Sequence, residues 1–156
     1  MCLINLINEN LIYTKTNYAT KEEFFKNVHG SLYKLGYVTE EFNKRILERE
    51  IEFPTAINIG DYGIAIPHTD AEYVRKEFIS IYTFKQPLIL KSMKNKKENV
   101  SVCVAFILGF NQSHDRLKIL RELMSLIRNR KLVETIIDLN SSKEVLNIIN
   151  HKCMEG

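Results

Sequence analysis

His68 is the side chain of this sequence whose position most favours a functional role. It follows the apolar segment Gly-Ile-Ala-Ile-Pro and is the first polar residue after a predicted buried strand. The end of a strand places a side chain on a rigid base at the rim of a sheet, where ligands bind in α/β folds. Pro67 restricts the backbone there further, because its ring fixes one dihedral angle. The alternative is a histidine that merely ends a strand.

His114 stands in a similar position farther along the chain. It follows a second apolar segment, Val100–Leu108, and Ser113 is a favourable N-cap for a helix with His114 in its first turn. The free N–H groups and partial positive charge of a helix N-terminus favour a neutral histidine and attract an anion. We therefore expect His68 and His114 to lie on one rim, close enough to touch one bound anion. The alternative is that His114 is only a polar residue of the first turn.

Arg49 is the third candidate. Its guanidinium is always charged and carries a fork of donors that can grip a phosphate at two points. Glu48 and Glu50 flank it in the sequence, which favours an ordinary ion pair at a helix end. The sequence leaves both roles open, and ion pairing is the simpler of the two.

Metal binding is the main rival chemistry at the two histidines. His68 stands two positions before Asp70, and His114 is followed directly by Asp115, so each histidine has a carboxylate nearby. No third or fourth ligand stands close to either pair in the sequence, and the three cysteines share no metal-like spacing. We therefore expect neither a metal nor a cofactor.

The composition indicates one cytoplasmic globular domain. The chain has 156 residues, of which 45% are hydrophobic and 26% charged. Three sparse cysteines fit a reducing compartment, and no signal peptide or membrane-spanning apolar run is apparent. The net charge of +3 is too weak to argue for nucleic-acid binding, and Lys94–Lys97 is interpreted as a solvated turn. His29 and His151 are expected to be polar residues without a function, with His29 on the solvated surface.

The first helix has clear signals at both ends. Thr20 and Glu23 have the spacing of a capping box, in which each side chain satisfies a backbone N–H of the first turn. Gly36 is suited to end this helix in the left-handed conformation. Its predicted buried face consists of Phe24, Val28, Leu32 and Leu35.

Four further helices are expected. One runs from about Thr39 to just before Pro54, because the residue before a proline avoids the helical region. Another follows Ser113, a short one covers residues 131–139, and the last follows Ser141. The helix after Ser113 has the predicted core positions Leu117, Leu120, Leu123, Met124 and Ile127.

Apolar runs predict three strands, at residues 64–66, 78–84 and 100–108. Residues 53–63 are expected to form a loop, and Gln86-Pro87 a turn. The third strand is apolar at both alternations and should therefore be covered on both sides. Its two predicted faces are Val102, Val104 and Phe106 on one side and Cys103, Ala105 and Ile107 on the other. We predict an α/β single domain over residues 5–150, with a mixed β-sheet flanked by helices on both faces.

Two segments make the sequence resemble the IIA proteins of the fructose/mannitol class of the bacterial sugar phosphotransferase system (PTS). They are Glu48-Arg49-Glu50-Ile51-Glu52-Phe53-Pro54-Thr55 and Gly63-Ile64-Ala65-Ile66-Pro67-His68-Thr69-Asp70. The Phe-Pro-Thr and Pro-His-Thr-Asp details are most similar to the galactitol-type branch. The resemblance covers about residues 5–150 and also implies a mixed sheet with helices on both faces.

The resemblance implies a phosphoryl carrier. His68 matches the family's phosphorylated histidine, Arg49 its arginine before the Phe-Pro-Thr loop, and His114 its second histidine. It implies that His68 accepts a phosphoryl group from phospho-HPr and passes it to a cysteine of a IIB partner, for uptake of a galactitol-like polyol. Arg49 and His114 would hold the phosphoryl oxygens. The membrane would be involved only indirectly, through the IIC transporter, and no metal would be needed.

The resemblance leaves three questions. A regulatory IIA-like protein, whose phosphorylation controls a protein partner, would carry the same motifs. An inactive binding module is a third possibility, which the presence of all three candidate residues argues against. The chain also has Ala56 where the family usually has glycine after Phe-Pro-Thr, and alanine would be strained if that position required a positive φ.

Overall fold

Strand β5 (Asn99–Gly109) is the central strand of a five-stranded mixed sheet in the computed structural model, which describes residues 3–111 and 115–155. The sheet order is β1-β4-β5-β3-β2. The β1/β4 and β3/β5 pairs are parallel, whereas β4/β5 and β2/β3 are antiparallel. The other strands are β1 (Ile12–Thr16), β2 (Ala56–Ile59), β3 (Tyr62–Ala65) and β4 (Phe78–Lys91).

Helices cover both faces of the sheet, which confirms the predicted architecture. The described residues form α1 (Lys21–Lys34), α2 (Phe42–Glu52), α3 (Arg116–Arg128), α4 (Arg130–Asp138) and α5 (Ser142–Glu155), with short 3₁₀ turns at Leu3–Leu6, Glu9–Leu11 and Ala71–Tyr73. One face packs against α1 and α2, and the other against α3, α4 and α5. Within residues 3–111 and 115–155, no helix is long and apolar enough to cross a membrane.

A bulge at Cys103 breaks the alternation predicted for β5. Val102 pairs with Gly63 and Val104 with Ile64. A step of one residue along β3 therefore corresponds to a step of two residues along β5. Val102 therefore packs with the α1/α2 side, whereas Val104 and Phe106 pack with the α3/α5 side. The predicted faces are right from Val104 onwards and wrong for Val102 and Cys103, because an inserted residue shifts the alternation by one position.

Two strand predictions need correction. Residues 56–59, predicted as loop, form edge strand β2 and pair with β3. Strand β4 does not end at Phe84 but continues to Lys91, past Pro87. Proline is tolerated there because the register with β5 is interrupted between Thr83 and Leu88, so its missing N–H removes no regular ladder bond.

The predicted helix ends agree better with the structure. The Thr20 side chain accepts a hydrogen bond from Glu23 N at 3.2 Å, and Glu23 accepts one from Ala19 N at 3.1 Å. Gly36 has φ +83°, as predicted for the end of α1. Leu35 and Leu117 were predicted as core residues, but they are 40% and 68% exposed. Leu117 lies outside the buried stripe of α3, which consists of Ile119, Leu123, Leu126 and Ile127.

Ala56 fits its position without strain. It lies in extended strand β2, opposite Ala65, and is fully buried. Among the described residues, Lys15 is the only non-glycine residue with positive φ. Alanine would have been strained only at a positive φ, which this position does not require, so the loop geometry does not depend on a glycine there.

Candidate functional site

His68 lies where the pairing of β3 with β5 ends. Its backbone forms a parallel bridge with Leu108, and Leu108 N donates a hydrogen bond to the carbonyl oxygen of Pro67 at 2.9 Å. Pro67 is buried and His68 is half-buried. The side chain therefore stands on backbone that is bonded to the central strand of the sheet, which limits its movement.

A hydrogen bond fixes the protonation pattern of the His68 ring. Nδ1 lies 2.9 Å from the carbonyl oxygen of Ile66. A carbonyl oxygen only accepts, so Nδ1 must carry the proton. In the neutral ring this leaves the lone pair on Nε2, which is then the nucleophilic nitrogen.

The surroundings of His68 lower its pKa below the usual 6.5. Burial is the main cause, because it disfavours the charged imidazolium. The hydrogen bond to Ile66 and the carboxylate of Asp70 raise the pKa, while the positive charges of Arg49 and Arg116 lower it. His68 is consequently neutral at pH 7, the form that a nitrogen nucleophile requires.

Arg49 is held on the His68 side of α2. Its Nη1 lies 3.4 Å from Asp70 Oδ1, and its guanidinium carbon lies 5.6 Å from the centre of the Phe53 ring. Together with Thr69, these residues help to line a surface pocket of about 220 Å³. The neighbouring acids that favoured a local ion pair have other partners. Glu48 pairs with Arg45, and Glu50 points into the protein.

Arg116 is a charged neighbour of His68 that sequence reasoning missed. It is the first residue of α3, is exposed, and its guanidinium carbon lies 5.6 Å from the centre of the Phe110 ring. Phe110 follows Leu108, the backbone partner of His68, by two residues. Its place at the start of the predicted helix, two residues after His114, is the signal that could have identified it.

Glu50 and Thr55 form a buried network that is bonded to Ile66, two residues before His68, and that sequence reasoning also missed. Glu50 Oε2 accepts a hydrogen bond from Thr55 N at 2.8 Å, and Glu50 Oε1 accepts one from Thr55 Oγ1 at 2.6 Å. Thr55 Oγ1 in turn accepts a hydrogen bond from Ile66 N at 3.3 Å. Burial raises the pKa of Glu50 to about 7, against the opposing effects of the Thr55 hydrogen bonds and Lys21.

The remaining histidines have different outcomes. His114 lies outside the described residues, so its meeting with His68 stays a prediction. Helix α3 begins at Arg116 with Asp115 as its N-cap, two residues later than the predicted N-cap Ser113. His29 is half-buried and stacks with Tyr33 at a centroid distance of 5.4 Å, which corrects its predicted solvated position. His151 is exposed on α5.

The geometry suits the capture of an anionic electrophile. A neutral imidazole presents Nε2, and the charges of two arginines act on the same ring. Guanidinium groups stabilise the oxygens of a phosphoryl group during transfer, where positioning and charge provide most of the catalysis. In the described part of the chain, no three His, Cys, Asp or Glu side chains are grouped to hold a metal ion.

Comparison with known proteins agrees with this chemistry. Residues 5–152 match the family model described as "Phosphoenolpyruvate-dependent sugar phosphotransferase system, EIIA 2". The galactitol-specific EIIA component of the PTS of Escherichia coli K12 is 26% identical over 124 residues, which are 79% of this chain and 81% of that protein.

Solved structures share the fold. The nitrogen regulatory protein IIA-Ntr from Neisseria meningitidis has a TM-score of 0.78 at 18% identity, covering 94% of this chain and 98% of that one. Enzyme IIA-mannitol from Escherichia coli, in its complex with phosphorylated enzyme IIB-mannitol, has a TM-score of 0.72 at 20% identity, covering 93% and 97%.

Proposed function

We propose that this chain, which belongs to the EIIA 2 family of the phosphoenolpyruvate-dependent sugar phosphotransferase system, carries its phosphoryl group on Nε2 of His68. The protein is thus a phosphotransferase component. The observation that supports it is the hydrogen bond between His68 Nδ1 and the Ile66 carbonyl, since it leaves the lone pair on Nε2.

Phosphoryl transfer to His68 would follow directly from this arrangement. The donor is the phosphohistidine of HPr. HPr docks in the cytoplasm on the exposed side of the His68 ring. The Nε2 lone pair attacks phosphorus in line, the phosphorus–nitrogen bond of the donor breaks, and its electron pair returns to the donor imidazole. His68 then carries both the phosphoryl group and the Nδ1 proton. The Ile66 carbonyl, as acceptor from Nδ1, stabilises the positive charge that this places on the ring.

The two arginines would hold the transferred group. Arg49 reaches the site from the end of α2 and Arg116 from the start of α3, so they approach from different elements. Each guanidinium can donate to phosphoryl oxygens and compensate their negative charge. During transfer, Arg49 would release its present partner Asp70 and bind the phosphoryl oxygens, which are the stronger acceptors.

The phosphoryl group would then pass from His68 to a IIB partner. The thiolate of a IIB cysteine attacks phosphorus, the bond to Nε2 breaks, and the electron pair returns to His68, which becomes neutral again. The galactitol-specific relative favours a galactitol-like polyol as the transported substrate. Regulation of a protein partner by the same phosphorylation is the alternative role, and the fold shared with IIA-Ntr accommodates it. Genes for IIB and IIC components beside this one would favour transport.

A labelling experiment tests the carrier role. The protein is incubated with phosphoenolpyruvate, enzyme I and HPr, and phosphorus NMR distinguishes phosphorylation at Nε2 from that at Nδ1. We expect one phosphohistidine at Nε2 in the parent protein and none in His68→Ala. His151→Ala, which removes an exposed histidine on α5, is the matched control and should be labelled normally. Normal labelling of His68→Ala would refute the proposal.

A further inference from the structure

We infer that Glu50 and Thr55 are positioning residues for His68, which they hold in place through Ile66. This inference rests on the proposed function only in taking His68 as the phosphoryl carrier. The hydrogen bonds of these two residues join them to one another and to Ile66, and the imidazole has its own bond to Ile66. Their effect passes through the backbone of Ile66. The N–H of Ile66 donates to the Thr55 hydroxyl, and the carbonyl oxygen of Ile66 accepts from His68 Nδ1.

The burial of Glu50 is the first reason for a specific role. The residue is only 4% exposed, and a carboxylate in such a place is costly unless strong hydrogen bonds compensate it. Both of its oxygens accept hydrogen bonds from Thr55, one from the backbone N–H and one from the hydroxyl. An apolar side chain could fill this volume without that cost, so packing alone does not account for a glutamate here.

The position of the network is the second reason. Glu50 follows Arg49 in the last turn of α2, and Thr55 stands just before β2. Thr55 donates to Glu50 and accepts from Ile66 N, so it joins the end of the helix that carries Arg49 to the segment that carries His68. One buried anchor sets the distance between the cation and the nucleophile, and an error of about 1 Å in such a distance can reduce a rate on the order of a hundredfold.

The donor pattern makes glutamate difficult to replace. The ionised carboxylate accepts from both donors of Thr55, its backbone N–H and its hydroxyl, while the hydroxyl oxygen accepts from Ile66 N. A glutamine of the same shape has one accepting oxygen, and its amide nitrogen can only donate to the Thr55 hydroxyl. The hydroxyl proton then loses its present acceptor and the hydroxyl reorients, which weakens the bond from Ile66 N.

The test separates positioning from general stability. Thr55→Val keeps the shape of the side chain but removes its hydroxyl. Thr83→Val is the matched control, because Thr83 is also buried and its hydroxyl also accepts from a backbone N–H, that of Lys15 at 2.8 Å. Thr55→Ser restores the hydroxyl and serves as the rescue variant. Circular dichroism establishes that each variant is folded.

Two measurements are made on the folded variants. Nitrogen-15 NMR of the imidazoles reports the His68 tautomer, and phosphoryl transfer from phospho-HPr reports the rate. For Thr55→Val we expect a mixture of Nδ1–H and Nε2–H tautomers and a transfer rate lower on the order of tenfold to a hundredfold. Thr83→Val should keep the parent tautomer and rate, and Thr55→Ser should recover both.

The inference is overturned if Thr55→Val keeps the parent tautomer and rate, or if Thr83→Val loses them equally. Should Thr55→Val fail to fold, Glu50→Gln is measured in the same way and must show the same mixed tautomers. The tautomer is read without phosphoryl transfer, so a parent protein that accepts no phosphate would refute the proposed function while the NMR result still decided the role of Glu50 and Thr55.

Discussion

Arg49 and Asp70 form a partly exposed ion pair beside His68, with 3.4 Å between Nη1 and Oδ1. The pair is long and half-solvated, so it contributes little to stability, at most about 1 kcal/mol. Its consequence is positional, because it keeps the guanidinium on the side of α2 that faces the segment after β3. An arriving phosphoryl group can therefore replace Asp70 without a large movement of Arg49.

Arg49→Lys should slow phosphoryl transfer by roughly one to two orders of magnitude, where each tenfold corresponds to about 1.4 kcal/mol. The ammonium keeps the charge but lacks the fork that donates to two phosphoryl oxygens. Stopped-flow transfer from phospho-HPr measures the rate. Arg45→Lys is a close control, since Arg45 lies one turn earlier, pairs with Glu48 and also stacks over a ring, that of Tyr73. Equal rates for the two variants would show that Arg49 gives no bidentate contact.

Arg116→Gln should raise the pKa of His68, because one of the two positive charges that lower it is removed. An NMR titration of the His68 ring measures this pKa directly. We also expect transfer to slow by about tenfold or more, since a hydrogen bond to a charged group contributes roughly 1.5–3 kcal/mol.

Lys118→Gln provides the control for Arg116→Gln, because it removes the same charge from the same helix. Lys118 lines a different pocket, with Leu3 and Cys153, so its loss should leave the His68 titration unchanged. A His68 pKa that moves equally in both variants would mean that only the net charge of the protein matters.

Local signals predicted the parts of the fold that local chemistry decides. Thr20 and Glu23 sit one turn apart and cap α1, and Gly36 ends it, because these interactions need no distant partner. The bulge at Cys103 depends on how β3 and β4 pair with β5, and the sequence of one strand does not contain that information. Strand β1 escaped prediction for the same reason, since its partner β4 lies more than sixty positions farther along the chain.

The candidate site divides in the same way. The end of a buried strand identified His68, and the motif resemblance added Arg49. The inward direction of Glu50 could not be read from Glu-Arg-Glu, because it depends on which side of α2 faces the sheet and on the Thr55 donors. Arg116 approaches His68 only because the end of β5 pairs beside it, a relation between segments that are distant in sequence.

His114 should assist transfer without carrying the label. A histidine just before α3 is expected to be neutral and to donate one hydrogen bond to the phosphoryl group held by His68. His114→Ala should therefore slow transfer more than His114→Gln, whose amide retains a donor, and phosphorylation should remain on His68 in both. Kinetics with mass spectrometry of the labelled peptide measures both points. If His114→Ala transferred phosphate at the parent rate, His114 would be an ordinary polar residue before the helix.

The buried carboxyl of Glu50 should make stability depend on pH in an unusual direction. Burial raises its pKa from 4.5 to about 7 in the folded protein. Between these two values the folded state binds more protons than the unfolded chain, so the free energy of unfolding falls as pH rises from 4.5 to 7, and this contribution is constant above 7. The total change from this group is about 3 kcal/mol.

Comparison of Glu50→Gln with the parent isolates this contribution. The lowered pKa of His68 has the opposite effect on the free energy of unfolding. The folded state disfavours protonation of His68, so this contribution to stability is lost as pH falls below 6.5. Both proteins contain His68, and an NMR titration of its ring in each protein gives the part of its effect that does not cancel in the difference between their free energies of unfolding. Urea unfolding at pH 5 and pH 8 should show the parent losing about 2.5 kcal/mol relative to Glu50→Gln, because part of the total change lies below pH 5. Glu52→Gln changes an exposed residue of the same helix and should keep the parent's pH dependence of stability. If Glu50→Gln also kept the parent's pH dependence, Glu50 would titrate alike in the folded and unfolded states.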